Sequence, residues 1–74
     1  MAFNYSKLKG RIVEIFGSQT KFAKAMNMSE RTLSLKISGK VSWKQREIVE
    51  AISLLGLEKD DIQEYFFTVE VQNI

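Results

Sequence analysis

The sequence predicts an all-α domain of five helices, followed by a possible short C-terminal β-strand. Apolar residues recur at helical spacing in five segments, and Ser, Asn or Gly residues stand at most boundaries between them. The 74 residues include no Cys and no His, which excludes disulfides and thiolate or imidazole metal sites. We therefore expect one domain, residues 1–74, stabilised by apolar packing.

The first predicted helix begins near Asn4, a capping residue, and ends at Gly17. Gly10 in its middle costs about 1 kcal/mol relative to Ala, which suggests that another helix approaches it closely. The residues expected on its inward face are Tyr5, Leu8, Ile12, Ile15 and Phe16.

The second predicted helix begins after Ser18, whose hydroxyl is a good helix cap. Phe22, Ala23 and Met26 share one face of this helix, and Ala23 is small enough for a neighbouring helix to cross there. Asn27 follows where a left-handed turn residue is needed, and Asn tolerates that conformation.

A third helix follows at once, from its cap Ser29 to Gly39, with Leu33 and Ile37 facing inward. Two short amphipathic helices joined by so tight a turn form a helix-turn-helix, here about residues 19–38. In DNA-binding examples of this motif the second helix lies in the major groove. The segment therefore predicts binding to double-stranded DNA.

The fourth predicted helix starts with a capping box of Ser42 and Gln45 and ends at Gly56. Its inward face is expected to consist of Ile48, Val49, Ile52 and Leu55. A fifth helix is expected over about 58–66, with Ile62, Tyr65 and Phe66 turned inward. Asp60 and Asp61 in its first turn complement the helix dipole. Acid–base chemistry at this pair is the weaker alternative, because no nucleophile or metal ligand lies near it in the sequence.

Residues 67–72 alternate apolar and polar side chains, which is a strand pattern with no obvious partner strand in the chain. One interpretation pairs this tail with the same tail of a second copy, which would bury its apolar row and form a homodimer. The alternative is a terminus that orders only against its own core, or not at all.

Charge is unevenly distributed along the chain. Residues 1–47 carry ten Lys or Arg and three Glu, a net charge of +7, whereas residues 48–74 carry one Lys and six acidic residues, a net charge of −5. A basic half that contains the helix-turn-helix favours a polyanionic partner. The alternative is that these charges only solvate helix faces.

Other function classes find no support in the sequence. No catalytic constellation or phosphate-binding glycine loop is present, so we expect no enzyme, no cofactor, no metal and no small-molecule substrate. No secretory signal, membrane span or lipidation signature is recognisable, and we expect a cytoplasmic protein that does not bind membranes.

Five predicted helices with the helix-turn-helix at the second and third resemble the lambda repressor and Cro family of phage-type regulators. Within that family the chain is similar to small phage proteins that have three short segments in the same order. These segments are Lys36 to Lys40 (K-I-S-G-K), Trp43 to Ile48 (W-x-x-x-E-I) and Tyr65 to Phe67 (Y-F-F). Asn27 departs from the Gly that the family usually has in the turn. The resemblance spans nearly the whole chain and implies a small stand-alone transcriptional regulator. Such a regulator would bind a roughly two-fold symmetric DNA operator as a homodimer, without a cofactor.

The residues opposite Leu33 and Ile37 on the third helix are the candidates for reading DNA bases: Glu30, Arg31, Ser34, Leu35 and Ser38. Arg31 can bind guanine bidentately and Glu30 can accept from cytosine, unless the two charges only solvate the helix. Leu35 fits a thymine methyl group, although single exposed leucines are common.

Family positions imply phosphate contacts at the start of the second helix and in the loop after the third. The full set of expected phosphate contacts is Gln19, Ser29, Lys36, Lys40 and Lys44. Trp43 has two interpretations: its ring covers the core while its N–H reaches a phosphate, or the side chain only packs in the core; packing is the simpler of the two.

Two other functions are alternatives. One is a protein-interaction module on the same fold, as an antirepressor would be, which would not need the basic rim at Lys40 and Lys44. The other is the DNA-binding subunit of a toxin–antitoxin or recombination system, which gene neighbourhood would distinguish from a phage switch protein.

Overall fold

The computed structural model describes residues 3–69, which form five α-helices and one turn of 3₁₀ helix. In chain order the elements are α1 (Ser6–Phe16), α2 (Gln19–Ala25), α3 (Glu30–Ile37), α4 (Gln45–Leu55), the 3₁₀ turn (Lys59–Asp61) and α5 (Ile62–Phe66). The predicted all-α class is therefore confirmed. No helix in this part of the chain is both long and apolar enough to cross a membrane.

The local signals at the start of α2 and α3 are confirmed. The Ser18 hydroxyl accepts from the Lys21 N–H at 3.3 Å, and the Ser29 hydroxyl accepts from the Thr32 N–H at 3.0 Å. Asn27 between the helices has a φ of +58°, which is the left-handed conformation expected there. The two caps and the turn involve residues that are close in sequence, and the sequence pattern alone therefore predicts them.

The start of α4 differs from the prediction. The expected capping box of Ser42 and Gln45 does not form; instead the Lys44 N–H donates to Glu47 Oε1 at 2.8 Å, and α4 begins at Gln45. The Ser42 carbonyl accepts a hydrogen bond from the Lys36 ammonium at 2.9 Å, which holds this residue in the preceding loop. The helix start is therefore displaced by about two residues.

The core gathers the apolar faces of all five helices. Its buried members are Tyr5, Leu8, Ile12, Phe22, Ala23, Met26, Leu33, Ile48, Ala51, Ile52, Leu55 and Phe66. Two residues expected inward are exposed, Ile15 at 46% and Val49 at 61%. Each is exposed although it lies only about 60° around its helix from a core residue, Ile12 for Ile15 and Ile52 for Val49, so the core stripes of α1 and α4 are narrower than predicted.

Gly10 does not mark a close helix crossing. No heavy atom lies within 4 Å of the position that a Cβ would take there, and the residue is exposed. The prediction of an approaching helix is wrong within residues 3–69. What joins α1 to α4 is Arg11, whose Nε and Nη2 donate to the Leu55 carbonyl at 3.1 and 2.9 Å.

The start of the predicted C-terminal strand has a partner within the chain. The Asn4 N–H donates to the Thr68 carbonyl at 2.7 Å, and Phe3 forms an isolated antiparallel bridge with Val69. The N-terminal segment therefore supplies the pairing that the sequence did not reveal. Residues 70–72 of the predicted strand lie outside the described residues.

Candidate nucleic-acid interface

The predicted helix-turn-helix folds as two short helices joined by residues 26–29. In the turn the Asn27 N–H donates to the Lys24 carbonyl at 3.0 Å, and the Met28 N–H donates to the Ala23 carbonyl at 3.0 Å. Ala23 is buried at the crossing of the helices, with 2% of its surface exposed. These contacts fix the position of α3 relative to α2.

One side of α3 is anchored in the protein and the opposite side is open. Leu33 is fully buried, and Ile37 packs against the core. Four of the five predicted base-reading residues are exposed: Glu30, Arg31, Ser34 and Ser38. Arg31, Ser34 and Ser38 lie on the other side, whereas Glu30 is in the first turn, within about 60° of Leu33 and Ile37 around the helix. Their contact with bases stays a prediction.

Leu35, the fifth of these residues, is half-buried rather than fully exposed. The chain folds back beside it after α3, because its carbonyl accepts from the Lys40 N–H at 2.9 Å and from the Val41 N–H at 3.2 Å. The Ser38 hydroxyl donates to the same carbonyl at 3.0 Å. Leu35 therefore presents less apolar surface than the helical phase predicts.

Lys36 is not on the surface, and its predicted phosphate contact is wrong. It is only 3% exposed, and its ammonium lies 2.9 Å from Glu47 Oε1 and 6.0 Å from the centre of the Trp43 ring. With the Ser42 carbonyl, these groups satisfy the ammonium inside the protein. The sequence offered one signal, since Lys36 lies three residues after the inward-facing Leu33 and so on the same face of the helix.

The pKa of Glu47 reflects this environment. Burial alone raises the pKa of the carboxyl, but the Lys44 N–H and the Lys36 ammonium outweigh burial and lower it below its ordinary value. The Glu47 carboxyl is therefore charged at neutral pH. The pair joins α3 to the first turn of α4 and so holds the exposed side of α3 in place.

The remaining predicted phosphate-binding residues surround α3. Lys40 and Lys44 are exposed on the loop before α4, and no ion pair among residues 3–69 includes either of them. Gln19 is half-buried at the start of α2. The Ser29 hydroxyl both caps α3 and bonds to the Thr32 hydroxyl at 2.8 Å, so a phosphate would have to displace that second bond.

Trp43 packs in the core rather than facing phosphate. Its ring contacts Phe66 edge-on, with centres 5.2 Å apart, and lies 6.4 Å from Tyr5. Its indole N–H is buried and has no hydrogen-bond partner within the described part of the chain. Packing, the simpler of the two interpretations, is thus confirmed.

A polar cleft beside α3 contains a residue that was not among the candidates. The cleft has a volume of about 460 Å³ and lies between the start of α1, the start of α2 and the exposed side of α3. Lys9 lines it from α1, opposite Gln19, Ser34 and Ser38. Sequence gave no signal for Lys9, because only the packing of α1 against α2 brings it here.

Comparisons with known proteins identify a family and a solved relative. A family model described as "Protein of unknown function (DUF739)" matches residues 1–69. The solution structure of the modulator of repression (MOR) of the temperate bacteriophage TP901-1 from Lactococcus lactis is 49% identical, covers 97% of each chain and superposes with a TM-score of 0.80. No protein with a curated description matches. The relative is a phage regulatory protein, which confirms the coarser part of the resemblance found in the sequence.

Proposed function

We propose that this chain, which belongs to the DUF739 family, is a phage-type regulator that binds double-stranded DNA through α2 and α3. The main support is the division of α3 into two sides. Leu33 and Ile37 anchor one side, while Arg31, Ser34 and Ser38 are exposed on the other and Glu30 is exposed in the first turn. A helix that is exposed on one side and anchored to the core on the other can enter a major groove as a rigid unit.

Within this proposal the residues have distinct roles. Arg31 binds a guanine and Glu30 accepts from a cytosine at the first turn of α3. Lys40, Lys44 and Gln19 bind backbone phosphates, which position the helix without reading sequence. The protein acts in the cytoplasm as a homodimer on a two-fold symmetric operator and needs no cofactor.

A second function, a protein-interaction module that acts on another regulator, also has support. The solved relative is described as a modulator of repression. In addition, the burial of Lys36 leaves Arg31 as the one exposed cation within α3. A partner with an exposed apolar or carboxylate group would suit this surface as well as DNA does.

Salt dependence of duplex binding distinguishes the two functions. We expect a Lys40→Gln/Lys44→Gln variant to weaken binding to all duplexes alike and to lower the log–log salt slope by about two units. Lys59→Gln, which removes an exposed cation from the acidic half, is the matched control and should bind as the parent does. If the parent binds a purified phage repressor but no duplex, and the double variant binds the repressor equally well, the protein-interaction function is correct.

A further inference from the structure

The cleft between α1, α2 and α3 has the composition of an anion site. Its lining includes the side chains of Asn4, Ser6, Lys9, Gln19 and Ser34, all of which can donate hydrogen bonds. Among residues 3–69, no carboxylate lines it. A pocket of donors with one cation and no acidic group suits a phosphate oxygen better than a metal ion or a cationic ligand.

Lys9 is free to act in this cleft. Its side chain is exposed, and none of the ion pairs among residues 3–69 includes it. The neighbouring basic residues of α1 are engaged elsewhere, because Lys7 pairs with Glu64 and Arg11 pairs with Glu14. Lys9 is therefore the cation of α1 that remains available to a ligand.

The cleft also adjoins the exposed side of α3. Ser34 and Ser38 form one of its walls, and Gln19 at the start of α2 forms another. A duplex seated on α3 would bring its sugar–phosphate backbone alongside these walls. Asn4 also lines the cleft, and the hydrogen bond from its N–H to the Thr68 carbonyl holds this N-terminal segment in place.

We propose that this cleft binds a backbone phosphate of the duplex through Lys9, so that α1 forms part of the DNA interface. The inference rests on the proposed function and extends it to an element outside the helix-turn-helix. Lys9 contributes charge and position, not base recognition.

Two measurements test this inference. We expect Lys9→Gln to weaken binding to every duplex by the same factor and to lower the log–log salt slope by about one unit, with Lys59→Gln unchanged. Because the chain has no Cys, Ser6→Cys can carry a single photo-crosslinker at the cleft and Ser53→Cys a control on α4. Only the Ser6→Cys probe should crosslink to duplex DNA.

The outcomes separate this inference from the proposed function. Duplex binding by the parent, together with an unchanged salt slope for Lys9→Gln or no crosslink from Ser6→Cys, overturns the role of the cleft alone. Absence of duplex binding by the parent overturns both proposals. A lower slope combined with a crosslink at the cleft supports both.

Discussion

The role that the sequence predicts for Lys36 differs from the role that the structure shows. As a basic residue in a predicted DNA-binding helix it suggests a phosphate contact, yet it is buried with Glu47. Sequence periodicity indicates which residues face inward, but it does not indicate which charged side chain will pair with a buried lysine. The identity of that partner depends on how α4 packs, which local pattern does not contain.

The buried pair should contribute to the acid sensitivity of the fold. The pKa of Glu47 is lower in the folded chain than its ordinary value of 4.5, so its stabilising contribution is present above that value. It is lost as pH falls through the lowered pKa. Urea denaturation of the parent between pH 6 and about pH 2 should show this loss, and Glu47→Gln should show a smaller one.

Removal of one partner should also be costly at neutral pH. Glu47→Gln leaves the Lys36 ammonium buried without its counter-ion, and we expect a loss of about 3 to 5 kcal/mol in the free energy of unfolding. Glu50→Gln, an exposed carboxylate on the same helix, is the matched control and should change stability by less than about 0.5 kcal/mol. Equal effects of the two variants would contradict the role of the pair.

The two leucines of α3 should differ in their contribution to stability. Leu33 is fully buried, so Leu33→Ala should cost about 2 to 5 kcal/mol through the cavity it leaves. Leu35 is half-buried, and Leu35→Ala should cost roughly 1 kcal/mol or less. Chemical denaturation measures both values. Similar losses would mean that the orientation of α3 is wrong.

At the scale of elements, the sequence predicts the five helices and the turn between α2 and α3 well. It predicts the start of α4 and the pairing of the C-terminal tail less well. The Ser18 and Ser29 caps and the turn at Asn27 act over three residues or fewer, so sequence contains all the information they need. The start of α4 was misplaced, because the loop before it is held by Lys36. The partner of the tail was missed for a similar reason, since Phe3 and Val69 are distant in sequence.

Gly10 offers a simple test of α1. The residue is exposed in the helix interior with open space around it, so Gly10→Ala should raise stability by about 0.5 to 1 kcal/mol. Gly17→Ala is the contrasting variant and should destabilise, because Gly17 has a φ of +86°. Thermal melts give both signs. Destabilisation by Gly10→Ala would show that something packs against this face in solution.

Pairing of the termini can be measured by amide exchange. The Asn4 N–H donates to the Thr68 carbonyl, so we expect slow exchange at Asn4 in the full chain and faster exchange after deletion of residues 68–74. The exchange rate at Leu33 serves as an internal reference for global unfolding. The same deletion, followed by sedimentation, tests whether the tail contributes to the proposed homodimer.

At the scale of the whole molecule, the charge polarity seen in the sequence remains after ion pairing. Seven exposed cations of the basic half take part in no ion pair among residues 3–69: Lys9, Lys21, Lys24, Arg31, Lys40, Lys44 and Arg46. The cations that do pair are bound to carboxylates of α1, α4 and α5. The summed charge of residues 1–47 therefore predicts the basic character of this half better than the position of any single lysine does.

The most direct test of the central claim is the effect of Arg31 on sequence preference. A preferred duplex is selected from a random pool with the parent, and binding to it and to its single base-pair variants is then measured for parent and Arg31→Ala. We expect Arg31→Ala to lose about 1 to 3 kcal/mol on the preferred duplex and to become indifferent to one base pair in each half-site. If Arg31→Ala retains the affinity and the full sequence preference of the parent, or if no duplex is selected, α3 does not read DNA as proposed.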